Sequence, residues 1–147
     1  MTNLLDTFIE NRYRVHPNHA NSHETVHGGN VMKWMDMAGA LSATRHAHTE
    51  CVTASIDQMD FHRPVPVGDT VLIRSYVYDV GRTSIRVRLQ AFRENPRTGE
   101  QERTTESRFV FVAVDESGSP VEVSELDVES ERGQRLRQEA IDAQNGE

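Results

Sequence analysis

From Gly28 to about His46 the apolar residues Val31, Met32, Trp34, Met35, Ala38 and Leu41 recur at helical spacing, and no proline interrupts them. One long helix is predicted, apolar nearly all round and therefore covered on most sides. Beyond it the period drops to two. In TVLIRSYVY, Val71, Ile73 and Val77 alternate with Arg74, Tyr76 and Tyr78; in TSIRVRLQAF, Ile85, Val87, Leu89 and Ala91 alternate with Arg86, Arg88 and Gln90. These are two half-buried strands, and the DVGR turn between them suits an antiparallel hairpin.

CVTASIDQMDF reads as a further strand before this hairpin, and RFVFVAV as one with both faces covered after it. ENPRTGE has the proline and glycine of an exposed loop, and DESGSP closes the last strand. One helix followed by about four long strands predicts an α+β domain, a strongly twisted antiparallel sheet wrapped around a central helix. After Glu122 the chain turns polar, with only Leu136, Ala140 and Ile141 forming a weak helical stripe. Residues 1–123 are expected to be the domain, and 124–147 a charged tail that is partly helical, mobile or partner-facing.

The 147 residues suit one domain. A net charge of -7 excludes a phosphate-backbone binder, which needs a basic surface to release counterions, so no nucleic-acid partner is expected. All of the basic side chains but Lys33 are arginine, and acid excess of this kind predicts a salt-adapted, halophilic protein. Cys51 stands alone, which rules out an intrachain disulfide. The first fifteen residues lack the basic start and cleavage site of a signal peptide, and no run is long enough to span a membrane. The cytoplasm is the expected location.

Asp36 is the anomaly in the helical run. An aspartate among apolar neighbours is unfavourable unless paired, hydrogen-bonded or held for chemistry, and Gly39 one turn on would let something approach closely. The competing reading is a solvated pair with Lys33 on the previous turn. Gly28 and Gly29 open the helix, where unpaired N–H groups and the helix dipole can receive a carbonyl oxygen, although many helices start at glycine for turn geometry alone. His16, His19, His23, His27, His46 and His48 raise the idea of a metal, but Pro17 and the glycines break the regular scaffold that a zinc site uses, so no metal and no cofactor are expected. Cys51 has no base partner that would make it a nucleophile.

The runs NSHETVHGGNVMKWMDMAGA, VTASIDQMDFHRPVPVGD, VGRTS and FVFVAVDESGSP, in this order over about residues 8 to 123, resemble the hotdog-fold acyl-CoA thioesterases of the broad-specificity and brain-type branch. The resemblance implies a sheet wrapped around a helix, a homodimer joined edge to edge, trimers of such dimers, and active sites at the dimer interface. It implies acyl-CoA hydrolysis to a fatty acid and coenzyme A. Asp36 matches the general base or nucleophile, Asn21 its partner across the interface, and Gly28 and Gly29 the donors to the thioester carbonyl. Arg82, Thr83 and Ser84 match a coenzyme A binding turn. His62 joins that set, while Arg45, His46 and Arg63 are phosphate candidates on charge. Glu24 stands where the family has glycine, and one domain is present where brain-type enzymes have two. Two other readings remain: a non-catalytic acyl-CoA binding or sensing module, and a dehydratase or hydratase using His62.

Overall fold

In the computed structural model, which describes residues 1–146, the glycine pair opens a single helix, α1 (Gly28–Ala47), that ends where His48 turns left-handed. Two short strands precede it, β1 (Thr2–Asn3) and β2 (Ile9–Arg14), and four follow: β3 (Cys51–Ile56), β4 (Thr70–Val80), β5 (Ser84–Glu94) and β6 (Gln101–Ala113). A last short strand, β7 (Leu126–Asp127), pairs in parallel with β1, and the helix α2 (Glu131–Gly146) closes the described chain. The main sheet is antiparallel throughout, in the order β2-β4-β5-β6-β3. It is the α+β arrangement that the periodicity predicts.

The alternating residues of β4 and β5 divide as their pattern requires. Val71, Ile73, Val77, Ile85, Val87, Leu89 and Ala91 are buried beneath Val31, Trp34, Met35 and Ala38 of α1. Each large side chain so buried contributes about 1.5–3 kcal/mol relative to exposure. In β6 the run RFVFVAV alternates between fully buried Phe109, Phe111 and Ala113 and half-buried Val110 and Val112, so only one face is fully covered. β3 stops at Ile56, and Asp57–His62 is loop rather than strand. Periodicity missed β2, because Ile9, Asn11 and Tyr13 alternate with charges and only Ile9 is fully apolar; Tyr13 is held by stacking flat on Trp34 at 4.8 Å.

Helix α1 is not covered all round. Met32, Met37 and Leu41 are exposed, as are Val52 and Ile56 on the edge strand β3 and Phe61 beyond it. Against the sheet, the close approach that Gly39 permits is made by the core: a Cβ there would lie 2.9 Å from the Phe111 ring and 3.2 Å from Leu89.

On the outer sheet face α2 docks through Leu136, Ala140 and Ile141 onto Tyr76, Tyr78, Leu4 and Phe8. Both tyrosine hydroxyls reach it, Tyr76 donating to the carbonyl of Leu136 and Tyr78 to Oε1 of Gln144, each at 2.6 Å. Beside them Arg88 forms a bidentate pair with Glu106 at 3.0 Å, and Glu139 of α2 lies 3.5 Å away. Glu106 and the Tyr76 hydroxyl favour the charged guanidinium against its burial and keep it protonated.

His46, in the last turn of α1, is fully buried. Its Nε2–H donates to the carbonyl of Ser124 at 2.7 Å, while Nδ1 has no partner among the described residues. Such a ring cannot reach a phosphate, which removes it from the phosphate candidates. Desolvation, opposed by the Ser124 bond and reinforced by His48 and the amino terminus, holds its pKa below the usual histidine value. The folded state therefore prefers neutral His46, and the unfolded state binds the proton first. Stability is expected to fall as pH drops from about 6.5 toward the depressed folded value. Urea midpoints of the wild type should decline more steeply between pH 7.5 and 5.5 than those of His46→Gln, which keeps a donor but does not titrate; parallel declines would show that His46 is not the group responsible.

Candidate active site

Asp36 emerges from α1 half-buried, one turn before the tight contact at Gly39. Its Oδ1 accepts a 2.6 Å hydrogen bond from Thr53 Oγ1 on β3. Among the described residues Lys33 makes no ion pair, so the surface-pair reading of Asp36 finds no support. Thr53 sits where the pairing of β3 with β6 shifts register between Thr53 and Ser55. A bulge of this kind re-aims a side chain at a sheet edge. Sequence reasoning missed Thr53, because one threonine in a β-branched run carries no local signal. With Oδ1 held by the hydroxyl, Oδ2 is left to take a proton or to attack.

The segment before the helix is a chain of local hydrogen bonds. Asn21 Oδ1 accepts from the backbone N–H of His23 at 2.9 Å, from that of Thr25 at 3.3 Å and from the Thr25 hydroxyl at 3.1 Å. This turn drives Glu24 to φ 60°, a left-handed conformation that glycine adopts freely and that strains glutamate by about 1–2 kcal/mol. Within one chain Asn21 does not hydrogen-bond to Asp36.

At the helix start His27 is the N-cap, and its Nδ1 accepts the Gly29 N–H at 2.9 Å. The Gly28 N–H has no partner among the described residues. The Phe61 ring lies against Gly28, 3.5 Å from where a Cβ would stand. Asp36 is eight residues along the same helix, or about 12 Å by helical rise. One carbonyl therefore cannot touch the Gly28 N–H and the Asp36 carboxylate of a single chain.

Arg82 is exposed in the turn between β4 and β5, with Thr83 and Ser84 half-buried beside it. Ser84 pairs with Val112 and Val112 with Val52, so this turn lies two strands from the start of β3, roughly 10 Å away. The other candidates fall elsewhere. Arg45 donates to the carbonyl of Asp6 at 3.2 Å. His62 lines a groove of about 840 Å³ beneath the end of α2, where five carboxylates, Glu106 and Glu139 among them, face two arginines. Those surroundings disfavour a phosphate. Arg63 lies 3.6 Å from Glu102.

A family model described as Thioesterase superfamily matches residues 23–100. Over 132 residues the chain is 39% identical to the uncharacterized acyl-CoA thioester hydrolase YkhA of Bacillus subtilis, spanning 90% of this chain and 77% of that protein. An apo-hexameric acyl-CoA thioesterase superposes with a TM-score of 0.87 at 35% identity, covering 98% of this chain and 94% of that one. The acyl-CoA hydrolase of Staphylococcus aureus, solved with butyryl coenzyme A, coenzyme A and coenzyme A disulfide, superposes with a TM-score of 0.86 at 27% identity, covering 95% of this chain and 85% of that one. That enzyme has also been solved with an asparagine, an aspartate 15 residues later and a threonine 17 residues beyond the aspartate each replaced by alanine. With a family match over more than half of its length, a relative of 39% identity and the sheet-around-helix architecture in common, the chain belongs to the hotdog-fold thioesterase superfamily.

Proposed function

We propose that this protein hydrolyses acyl-CoA to the free acid and coenzyme A, with Asp36 as its working carboxylate and Thr53 as the hydroxyl that positions it. The observation that carries the residue assignment is the 2.6 Å bond between Thr53 and Asp36. Asn21, Asp36 and Thr53 also repeat the 15- and 17-residue intervals of the three residues altered in the Staphylococcus aureus enzyme.

The thioester oxygen sits at the Gly28 and Gly29 N–H groups, where backbone donors and the helix dipole stabilise its developing negative charge. Asp36 takes a proton from water as the water oxygen attacks the carbonyl carbon, or attacks that carbon itself to form an anhydride that water then opens. In both routes the C–S bond breaks and the thiolate leaves with the electron pair. The separation of about 10 to 12 Å between Asp36 and the glycines of one chain calls for Asp36 from one protomer and Gly28 and Gly29 from its partner. Exposed apolar residues on α1 and on the edge strand β3 suit a homodimer, in which the free amide of Asn21 reaches the partner's half of the site. A trimer of such dimers follows the hexameric structural neighbour. Arg82 supplies a guanidinium for the coenzyme phosphates.

The test is thiol release from acyl-CoAs of short to long chain, run in low and in high potassium chloride, with the assembly mass measured by light scattering. Hydrolysis by a species of at least dimer mass is expected, and Arg82→Ala should raise KM by about tenfold with kcat preserved. Binding of acyl-CoA with no thiol release above background would refute the hydrolase reading, and an active monomer would refute the shared site.

A further inference from the structure

The helix start that is to receive the thioester oxygen is already occupied by a side chain of the same protein. His27 Nδ1 accepts the Gly29 N–H at 2.9 Å, in the position a carbonyl oxygen would take. The ring also fills the space above Gly29: a Cβ at that residue would lie 2.9 Å from Nδ1 and 3.0 Å from Cε1. One backbone donor cannot give a full hydrogen bond to the imidazole and to a thioester together.

We infer that His27 is a displaceable cap on the oxyanion donor, satisfying Gly29 while the site is empty and competing with the substrate carbonyl for it. The inference rests on the hydrolase reading above for the role of Gly29. The backbone at His27 is pinned, since its N–H donates to the carbonyl of His19 at 2.8 Å and that carbonyl is also bound by Asn30 Nδ2 at 3.0 Å. The imidazole itself is exposed. Release therefore needs only rotation of the His27 side chain, with the loop and the helix staying in place. Substrate without a correctly placed carbonyl gains nothing by displacing the ring, so the cap favours ligands that can repay the lost hydrogen bond. His27 acts through Gly29 and is a positioning residue, not a catalytic one.

The experiment compares wild type, His27→Ala and His27→Asn, the last retaining an oxygen that can cap the helix. Two non-hydrolysable probes are used: a plain S-alkyl-CoA thioether, and a CoA thioether whose alkyl group bears a ketone one methylene from sulfur. His27→Ala is expected to bind the ketone probe about fivefold more tightly, the factor that corresponds to one side-chain cap, with thioether affinity unchanged. For a hydrolysed acyl-CoA the same factor should appear as a lower KM, and His27→Asn should resemble wild type in both readouts. Equal changes for the two probes, or none for either, would overturn the proposal, because a merely structural role cannot distinguish a ketone from a methylene. If wild type hydrolyses no acyl-CoA, the hydrolase reading fails, and the two-probe comparison still decides whether His27 competes for the Gly29 donor.

Discussion

Asp36→Asn is expected to lower kcat by about a thousandfold while leaving the fold intact. General acid–base contributions run from about 10² to 10⁴, and the asparagine amide can neither take a proton nor attack a thioester at neutral pH. The carboxylate is only half-buried and accepts from one hydroxyl, an interaction that the asparagine carbonyl oxygen can preserve. The melting temperature should therefore move little. Thr53 supplies the paired test. Thr53→Ala frees Oδ1 and should reduce kcat by about tenfold through lost orientation, whereas Thr53→Ser keeps the donor and should retain most of the rate. The double variant Asp36→Asn/Thr53→Ala is expected to be no slower than Asp36→Asn alone, since a hydroxyl that acts through the carboxylate has nothing left to orient. Additive losses would show that Thr53 serves the substrate directly.

The sequence made α1 and the β4–β5 hairpin legible because each buries one face, and burial of one face writes a period into the chain. Asp36 was legible for the opposite reason, as a charge that breaks that period. Thr53 obeys the composition of its strand, and what sets it apart is a register shift against β6 that no local pattern records. β2 was missed because only Ile9 among its inward positions is a buried aliphatic, Asn11 being polar and Tyr13 held by stacking on Trp34, so the alternation is too weak in hydrophobicity to mark a strand. His46 was a phosphate candidate on charge alone, and the core seals it away from any phosphate. The close approach that Gly39 permits beside Asp36 is legible in the sequence, but not that the Phe111 ring is what makes it.

That contact sets the expected result with the largest effect on stability. Phe111 is fully buried, and Phe111→Ala should cost about 3–5 kcal/mol through lost transfer energy and the cavity left behind. Gly39→Ala poses a contest between two effects of opposite sign. Alanine in a helix interior gains about 1 kcal/mol over glycine. Against this, its methyl would meet a buried ring at 2.9 Å and Leu89 at 3.2 Å, and overpacking of a filled core typically costs about 1–3 kcal/mol. The aromatic ring is enclosed and cannot give way as a flexible chain end would, so the steric term should win and Gly39→Ala should destabilise. It should also push α1 off the sheet, lengthen the bond from Thr53 to Asp36 and lower kcat. In the Phe111→Ala background the ring is gone and only the Leu89 methyl at 3.2 Å remains, a flexible chain end that can shift into the new cavity: the same Gly39→Ala change should then stabilise, by up to about 1 kcal/mol, as helix propensity outweighs the remaining contact. Urea unfolding of the four proteins measures this reversal of sign, and a Gly39→Ala effect of the same sign in both backgrounds would show that the contact with Phe111 does not fix the distance between helix and sheet.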